Sequence, residues 1–181
     1  TDADTKTSGL PLPVSVSSLD FKTNAMETKL SYNQYDNKGN IQQYTLNPDA
    51  NGNGTPVTII WGYNQSQPIA KIEGIGYNGL LEISGISTII SDLQTKSAAD
   101  IDDGTELTLI TALDNFRKNI TLSGYQITTY SYNPLIGVTS ITPPSGIREV
   151  YIYDTANRLK EVREQNATGN LLKEYQYHYK P

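Results

Sequence analysis

The stretch that decides the fold is GIREVYIYDTANRLKEVREQNATGNLLKEYQY, at residues 146–177. Tyr151 and Tyr153 are two residues apart, so both fall on one face of a β-strand. Asp154 follows them, and an aspartate side chain can bond its own backbone and begin a turn. This order predicts a β-hairpin, and the three-residue spacing of Leu159 and Val162 predicts a bulge in its second strand.

The same order of residues recurs along the chain, which indicates an internal repeat. Residues 61–64, 130–133 and 151–154 each have the form aromatic-x-Tyr-Asn/Asp, and each precedes a turn and an apolar strand. Partial copies begin at Tyr35 and Tyr175. The copies after residue 130 begin roughly 20–25 residues apart, a period that fits one hairpin per unit.

These units resemble the YD-repeat family, also called RHS repeats. Residues 146–177 look like its Y-x-Y-D unit with a following G-R-L, and residues 31–41, SYNQYDNKGNI, look like its Y-D-x-x-G-N form. The matching positions are Tyr35, Asp36, Gly39, Asp154, Arg158 and Leu159. The chain departs from the family at Asn157, where glycine is usual, although asparagine also tolerates left-handed geometry.

The resemblance covers residues 28–77 and 125–181 and implies an extracytoplasmic bacterial protein, secreted or displayed at the cell surface. In the family, long arrays wind a β-sheet into a hollow shell. The chain holds about five units, which are too few to close a shell. We therefore expect an open, strongly twisted sheet, either as a whole protein or as the terminal part of a longer array.

Between the two groups of strands the apolar residues change to helical spacing. Two such helix faces are Ile86, Ile89, Ile90, Leu93 and Leu109, Leu113, Phe116, Ile120. Asp103 and Glu106 fit a capping box that opens the second helix. These patterns predict a helical hairpin at residues 84–119, which is not part of the generic repeat and which we expect to pack on the sheet.

The predicted architecture is therefore mainly β, an antiparallel sheet of consecutive hairpins with one helical insertion. Its segments are an N-terminal part with an edge strand (1–27), the first hairpins (28–83), the helical hairpin (84–119) and the second set of hairpins (120–181). Residues 1–9 are polar, and prolines at 11 and 13 mark the start of the edge strand.

The composition of the chain argues against several kinds of partner and site. The net charge of -5 and the pI near 4.8 argue against a nucleic-acid partner, which requires a basic surface. The chain has no cysteine, which excludes disulfides and thiolate metal sites. It has no apolar run long enough for a membrane span. We expect no cofactor, and the oligomeric state is open at this stage.

Six aromatic residues of the repeats are candidates for a ligand-binding row. They are Trp61, Tyr63, Tyr130, Tyr132, Tyr151 and Tyr153. Exposed rows of rings mark binding surfaces, so a carbohydrate-binding module is the first alternative to a structural role. Cross-strand packing is the competing explanation of the same rings. Three or more open ring faces in one groove would favour binding.

The acids Asp100, Asp102, Asp103 and Glu106 form a carboxylate cluster. Glycoside hydrolysis requires two carboxyls facing across a cleft, so a glycoside-active enzyme is the second alternative. Acids at a helix start are also explained by capping and by the helix dipole, and we favour that explanation.

Two further motifs carry less weight. Residues 49–54 match the first half of a calcium loop, but Ile60 occupies the position of the bidentate acid, so a turn is the better interpretation. His178 is the only histidine and has no organised partners nearby in the sequence. The sequence therefore predicts no catalytic residue and no metal site. It predicts a non-enzymatic module whose partner is a protein or a polysaccharide at the cell surface.

Overall fold

The computed structural model describes residues 11–178, so the polar segment predicted at residues 1–9 lies outside the described part. Ten strands form one antiparallel sheet, in which every strand pairs with its neighbours in the sequence. The strands are β1 (Ser15–Asp20), β2 (Ala25–Tyr35), β3 (Ile41–Leu46), β4 (Thr55–Gly62), β5 (Gln67–Glu73), β6 (Gln126–Asn133), β7 (Gly137–Thr142), β8 (Glu149–Tyr153), β9 (Leu159–Glu164) and β10 (Leu171–Glu174). This meander confirms the predicted mainly β, antiparallel and open architecture, with β1 and β10 at its edges.

The helices lie in the connection between β5 and β6. They are α1 (Tyr77–Glu82), α2 (Ile86–Ala98), α3 (Asp103–Arg117) and a 3-10 turn (Ile120–Leu122). Helix α2 packs against α3 and β4, and α3 packs against β6, so the insertion covers one face of the sheet as predicted. No helix within residues 11–178 is both long enough and apolar enough to cross a membrane.

Helix α1 was not predicted, because its sequence reads as the end of a strand. Apolar residues continue beyond β5 at Ile75 and Tyr77, but the strand ends at Glu73. Gly74 follows with φ at +103°, a conformation that favours glycine and that turns the chain out of the sheet. The residues beyond it then form the first helical turn over the sheet.

The main hydrophobic core lies between the helices and the middle of the sheet. Its most deeply buried members are Ile60, Ile69, Ile72, Leu80, Ile86, Leu93, Leu109, Phe116 and Leu122. The prediction that Ile120 continues the core face of the second helix is wrong, since Ile120 is 81% exposed. Helix α3 ends at Arg117, and the following 3-10 turn presents Leu122 to the core instead.

The predicted capping box at the start of α3 is also wrong by one residue. Asp102, not Asp103, is the N-cap, and its side chain accepts hydrogen bonds from the backbone N–H groups of Gly104 and Thr105. The Thr105 hydroxyl completes the box at the backbone N–H of Asp102, over 2.9 Å. A threonine can fill this position because its hydroxyl reaches the cap as the predicted glutamate would.

One turn geometry recurs three times in the sheet. Oδ1 of Asp36 accepts from the backbone N–H groups of the second and fourth residues after it, and the fourth residue's carbonyl accepts from the Asp36 N–H. Asp154 and Asp49 make the same set of bonds. The third residue after each aspartate is left-handed, and is Gly39, Asn157 or Gly52. The stretch that resembles a calcium loop is therefore a third example of this turn geometry.

The tyrosine that precedes or ends a repeat strand is bonded in a recurring way. The hydroxyls of Tyr35, Tyr153 and Tyr177 each donate to a carbonyl further back in the chain, those of Pro13, Val138 and Leu159. Each bond joins the end of a hairpin to an earlier part of the chain and gives a tyrosine hydroxyl a partner. The three positions differ in burial, since Tyr35 is 7% exposed, Tyr153 is half-buried and Tyr177 is 46% exposed.

Arg158 connects two neighbouring units. Its guanidinium pairs with Asp154 at 2.6 Å and lies 4.7 Å from the ring centre of Tyr177. The predicted bulge is confirmed between these units: Tyr153 pairs with Leu159 and Ile152 with Glu161, which leaves one extra residue on β9. The half-buried Leu159 thus lies opposite Tyr153 in the ladder.

Candidate functional site

Two of the six predicted aromatic residues, Tyr63 and Tyr132, belong to the helix-covered side of the sheet. Tyr63 is only 5% exposed, and its ring meets that of Tyr132 edge to face at 5.6 Å. The Tyr63 hydroxyl donates to Oδ2 of Asp100 at 2.6 Å and accepts from the backbone N–H of Tyr132 at 2.8 Å. The ring of Tyr63 is therefore part of the core and does not present a face to solvent.

Tyr130 lies on the opposite face of the sheet. The neighbouring Ser131 donates to Glu106 of α3 and so faces the helices, which turns Tyr130 to the uncovered side. Burial between neighbouring side chains raises the pKa of Tyr130, and Lys71 and Glu73 lie close enough to act on it by their charges. Tyr130 is thus half-buried although no helix covers it.

Tyr44, which was not among the candidates from the sequence, lies near Tyr130. Burial raises the pKa of Tyr44, and Lys71, Glu73 and Tyr130 lie close enough to have smaller effects on it. Lys71 pairs with Glu73 at 2.7 Å. We call Tyr44, Lys71, Glu73 and Tyr130 the open-face patch. The spacing of Lys71 and Glu73, two residues apart in β5, was the signal that could have found part of it, since it puts both side chains on one face of the sheet.

The other predicted aromatic residues, Trp61, Tyr151 and Tyr153, each donate a hydrogen bond within the protein. The indole N–H of Trp61 donates to the Ile41 carbonyl at 2.8 Å, and the Tyr151 hydroxyl donates to Glu149 at 2.8 Å. Tyr153 donates to Val138 and lies against Gly137. All three are half-buried. The six residues therefore do not form one continuous row, and the two faces of the sheet divide them.

The carboxylate cluster lines a cavity of about 520 Å³ between the start of α3 and the turn that follows β6. Asp100, Asp102, Asp103 and Glu106 contribute to its wall together with Tyr132 and Thr139. Asp100 is 8% exposed. The acids therefore do not all face bulk solvent, but they come from one short segment and not from distant parts of the chain.

Three of the four acids accept hydrogen bonds from donors of the protein. Asp100 accepts from Tyr63, and Asp102 accepts from the first turn of α3. Oε1 of Glu106 accepts from Ser131 at 2.9 Å and from the Thr139 hydroxyl. Sequence reasoning could not find this last contact, because nothing local links a helix glutamate to hydroxyls on two later strands.

The surroundings change the acidity of these groups in opposite directions. Burial, with a smaller effect from the charge of Glu106, raises the pKa of Asp100. The backbone N–H of Thr105 lowers the pKa of Asp102. Burial and the bond to Asp100 raise the pKa of Tyr63 far above its usual value, so this hydroxyl is a fixed donor. The hydrogen bond from Tyr63 to Asp100 is thus a buried contact beside the cavity, and Tyr63 keeps its proton in it.

A strained turn positions Tyr63. Residues 63–65 have φ values of 49°, 57° and 64°, three consecutive left-handed residues without a glycine. Such residues persist only where the surroundings fix them. Ser97 accepts from the Tyr63 N–H at 3.0 Å, and Asn40 donates to the Gln65 carbonyl at 2.9 Å. Contacts from a helix and from a neighbouring hairpin turn therefore hold this turn in place.

The remaining polar motifs add no site. Within residues 11–178, no three His, Cys, Asp or Glu side chains are grouped so that they could hold a metal ion. His178 is exposed beyond the end of β10. The candidate surfaces are therefore the acidic cavity and the open-face patch.

Comparison with known proteins leaves these surfaces to be interpreted from their own geometry. No protein-family model and no curated protein matches the chain.

Proposed function

We propose that this chain is a non-catalytic, extracytoplasmic β-hairpin module of the YD-repeat type with a structural and interaction role. The observation that carries the proposal is the repeated unit, with three equivalent aspartate turns and three tyrosine–carbonyl bonds in one meander. A chain built from equivalent hairpins grows by adding units to a sheet, and its extended surface is then its working part.

The hydrogen bonds of the acids support a structural role. A glycosidase places its two carboxyls on opposite sides of a sugar, free to exchange protons with it. Here Asp102 caps a helix, and Glu106 accepts two hydroxyls from β6 and β7. Asp102 therefore stabilises α3 itself, and Glu106 joins α3 to the sheet. Both are structural roles.

Carbohydrate binding is a second candidate, and the open-face patch is the observation that favours it. Tyr44 and Tyr130 supply rings, while Lys71 and Glu73 supply a donor and an acceptor between them. Sugar rings combine apolar faces with rings of hydroxyls, so they match a surface that offers both. This candidate uses the uncovered sheet face and not the row of six residues.

Protease shaving of intact cells tests the extracytoplasmic location. An epitope tag is inserted in the exposed turn at residues 49–53, in the organism that encodes the chain. We expect external protease to remove the tag without lysis, whereas the same tag on a cytoplasmic protein survives. A tag that is protected until the cells are lysed would contradict the proposal.

A glycan array separates the two candidates. Wild type, Tyr130→Ala and the control Tyr175→Ala, a change at a 40% exposed edge tyrosine, are compared on the same array. The carbohydrate candidate requires binding that Tyr130→Ala abolishes and Tyr175→Ala retains. The absence of binding by wild type leaves the structural role alone.

A further inference from the structure

A groove of about 400 Å³ lies between α2 and the strained turn that follows β4. Its size falls within the range of small-molecule sites, about 300–1,000 Å³. Amide and hydroxyl side chains form most of its wall, together with Trp61 and two small residues. The polar members are Asn64, Gln65, Ser91, Gln94 and Thr95. Among the described residues that line the groove none is charged, whereas four carboxyls line the acidic cavity.

Two polar side chains of the groove are free to bind a ligand. In the described part of the chain, the amide of Asn64 and the hydroxyl of Ser91 make no hydrogen bond, and both residues are exposed. The side-chain N–H of Gln94 donates to the Trp61 carbonyl at 2.9 Å, which fixes this side chain and leaves its oxygen as an acceptor. The groove therefore presents donors and acceptors on both of its sides.

The turn that carries Asn64 is more strained than a hairpin of this sheet requires. The turns at Asp36 and Asp154 each reverse the chain with one left-handed residue, a glycine or an asparagine. Three consecutive left-handed residues, 63–65, connect β4 to β5 instead. The Lys38 ammonium donates to the Asn64 carbonyl at 2.6 Å and adds to the contacts that hold this turn. Strain that the surroundings maintain is typical of segments that clamp a ligand.

We propose that this groove binds an uncharged saccharide, whose hydroxyls form hydrogen bonds with Asn64, Ser91 and Gln94. Sugar hydroxyls both donate and accept, so they match a wall of amides and hydroxyls. A charged ligand would lose its water without meeting an opposite charge, which is unfavourable. A peptide would find little apolar surface for its side chains, because apart from Trp61 the apolar members of the wall are a glycine and an alanine.

The groove is separate from the open-face patch, which lies on the uncovered side of the sheet. That patch contains an ion pair, whereas the described lining of the groove has no charge. The inference therefore goes beyond the proposed structural role and rests on it only for the exported location in which a saccharide is met. The tag experiment tests that location and glycan binding tests the groove, so one can fail while the other holds.

The test variants remove one polar group at a time from the groove. Asn64→Gly deletes the amide but keeps a residue that adopts the left-handed conformation without strain. Asn24→Gly, at another exposed left-handed asparagine, is its matched control. Ser91→Ala deletes the hydroxyl, and Ser87→Ala, one turn earlier in α2 and outside the groove, is its control. Circular dichroism confirms that the variants are folded.

Binding is measured on an array that carries uncharged and acidic oligosaccharides, and each glycan that binds is then titrated in solution by NMR. We expect wild type to bind uncharged glycans and not acidic ones. Asn64→Gly and Ser91→Ala should each raise the dissociation constant about 3- to 10-fold, as the loss of one hydrogen bond does. Both controls and Tyr130→Ala should bind like wild type, since none of them changes the groove.

Three results would overturn the inference. The first is that wild type binds no uncharged glycan, or binds acidic glycans in preference. The second is that Asn64→Gly and Ser91→Ala bind as tightly as their controls. The third is that Tyr130→Ala abolishes binding that both groove variants retain, which would place the saccharide on the open-face patch. The proposed structural role survives each of these results.

Discussion

The hydroxyl of Tyr63 donates to Oδ2 of Asp100 over 2.6 Å, and both residues are almost completely buried. Tyr63 follows β4, whereas Asp100 lies in the loop between α2 and α3. The same hydroxyl accepts from the backbone N–H of Tyr132 at the end of β6. One side chain therefore fastens the helical insertion to two separate strands of the sheet.

Removing this hydroxyl should loosen the insertion. Tyr63→Phe leaves a buried carboxyl and a backbone N–H without their partner, so we expect the free energy of unfolding to fall by about 1–3 kcal/mol. Tyr177→Phe removes one hydrogen bond at a 46% exposed position and should cost less than about 1 kcal/mol. Urea unfolding of the two variants measures the difference. Equal losses would show that the Tyr63 contact is not structural.

Ionisation of Asp100 should make the stability of the fold depend on pH above the range in which an ordinary aspartate titrates. Burial raises the folded-state pKa of Asp100, so the folded chain holds its proton more tightly than the unfolded chain. The stability from this group is complete below pH about 4 and is lost as pH rises through the raised pKa.

Asp100→Asn removes that loss while it keeps an acceptor for Tyr63. Compared with wild type, the variant should gain melting temperature over the range from pH about 4 up to the raised pKa of Asp100. Asp103→Asn, an exposed change in the first turn of α3, controls for the loss of one negative charge. A difference between wild type and Asp100→Asn that is constant across this range would mean that Asp100 is ionised in the fold without penalty.

The sequence predicted the hairpins well because their determinants are local. The turns at Asp36 and Asp154 need only an aspartate and a residue three positions later that tolerates left-handed geometry. Alternation then fixes which side chains share a face. The helical insertion was also visible, since two apolar stripes with the spacing of 3.6 residues per turn are hard to accommodate in strands.

The candidate surfaces could not be predicted, because they depend on contacts between distant residues. The sequence suggested that Tyr63 and Tyr130 belong to one row, but Tyr63 begins a left-handed turn after β4 and is buried under the helices, whereas Tyr130 lies within β6 on the uncovered face. Glu106 meets Ser131 only because α3 crosses β6. The left-handed turn at Tyr63 and the crossing of α3 over β6 both depend on contacts with residues that are distant in the sequence.

The turn at Asp154 should contribute stability that acid removes. Arg158 and the backbone N–H groups of the turn lower the folded-state pKa of Asp154 to about 2. Its contribution is therefore complete above the unfolded pKa and is lost as pH falls from about 4 towards 2. Asp154→Asn should flatten the acid limb of the plot of melting temperature against pH in this window. An unchanged acid limb, measured by thermal scans at a series of pH values, would contradict the lowered pKa.

Gly62 is required where β4 meets α2. A Cβ at this position would lie 2.5 Å from the Ser97 Oγ and 2.6 Å from a methyl carbon of Ile69. Gly62→Ala should therefore force the helix away from the sheet and destabilise the fold by about 1–3 kcal/mol, as overpacking does. Gly124→Ala, where no atom lies within 4 Å of the new carbon, should leave the stability nearly unchanged. A neutral Gly62→Ala would show that the contact between α2 and β4 is loose.

Phe116 should carry much of the energy that holds α3 on the sheet. Its side chain is 1% exposed among Leu109, Leu113 and the strands below, whereas the neighbouring Ile120 is 81% exposed. Phe116→Ala should cost about 3–5 kcal/mol of unfolding free energy, because it leaves a cavity in a closed core. Ile120→Ala should stay within about 0.5 kcal/mol of wild type, as surface changes do. Chemical denaturation compares the two, and a loss at Phe116 well below about 1 kcal/mol would mean that the helices are a peripheral arm and that the sheet folds without them.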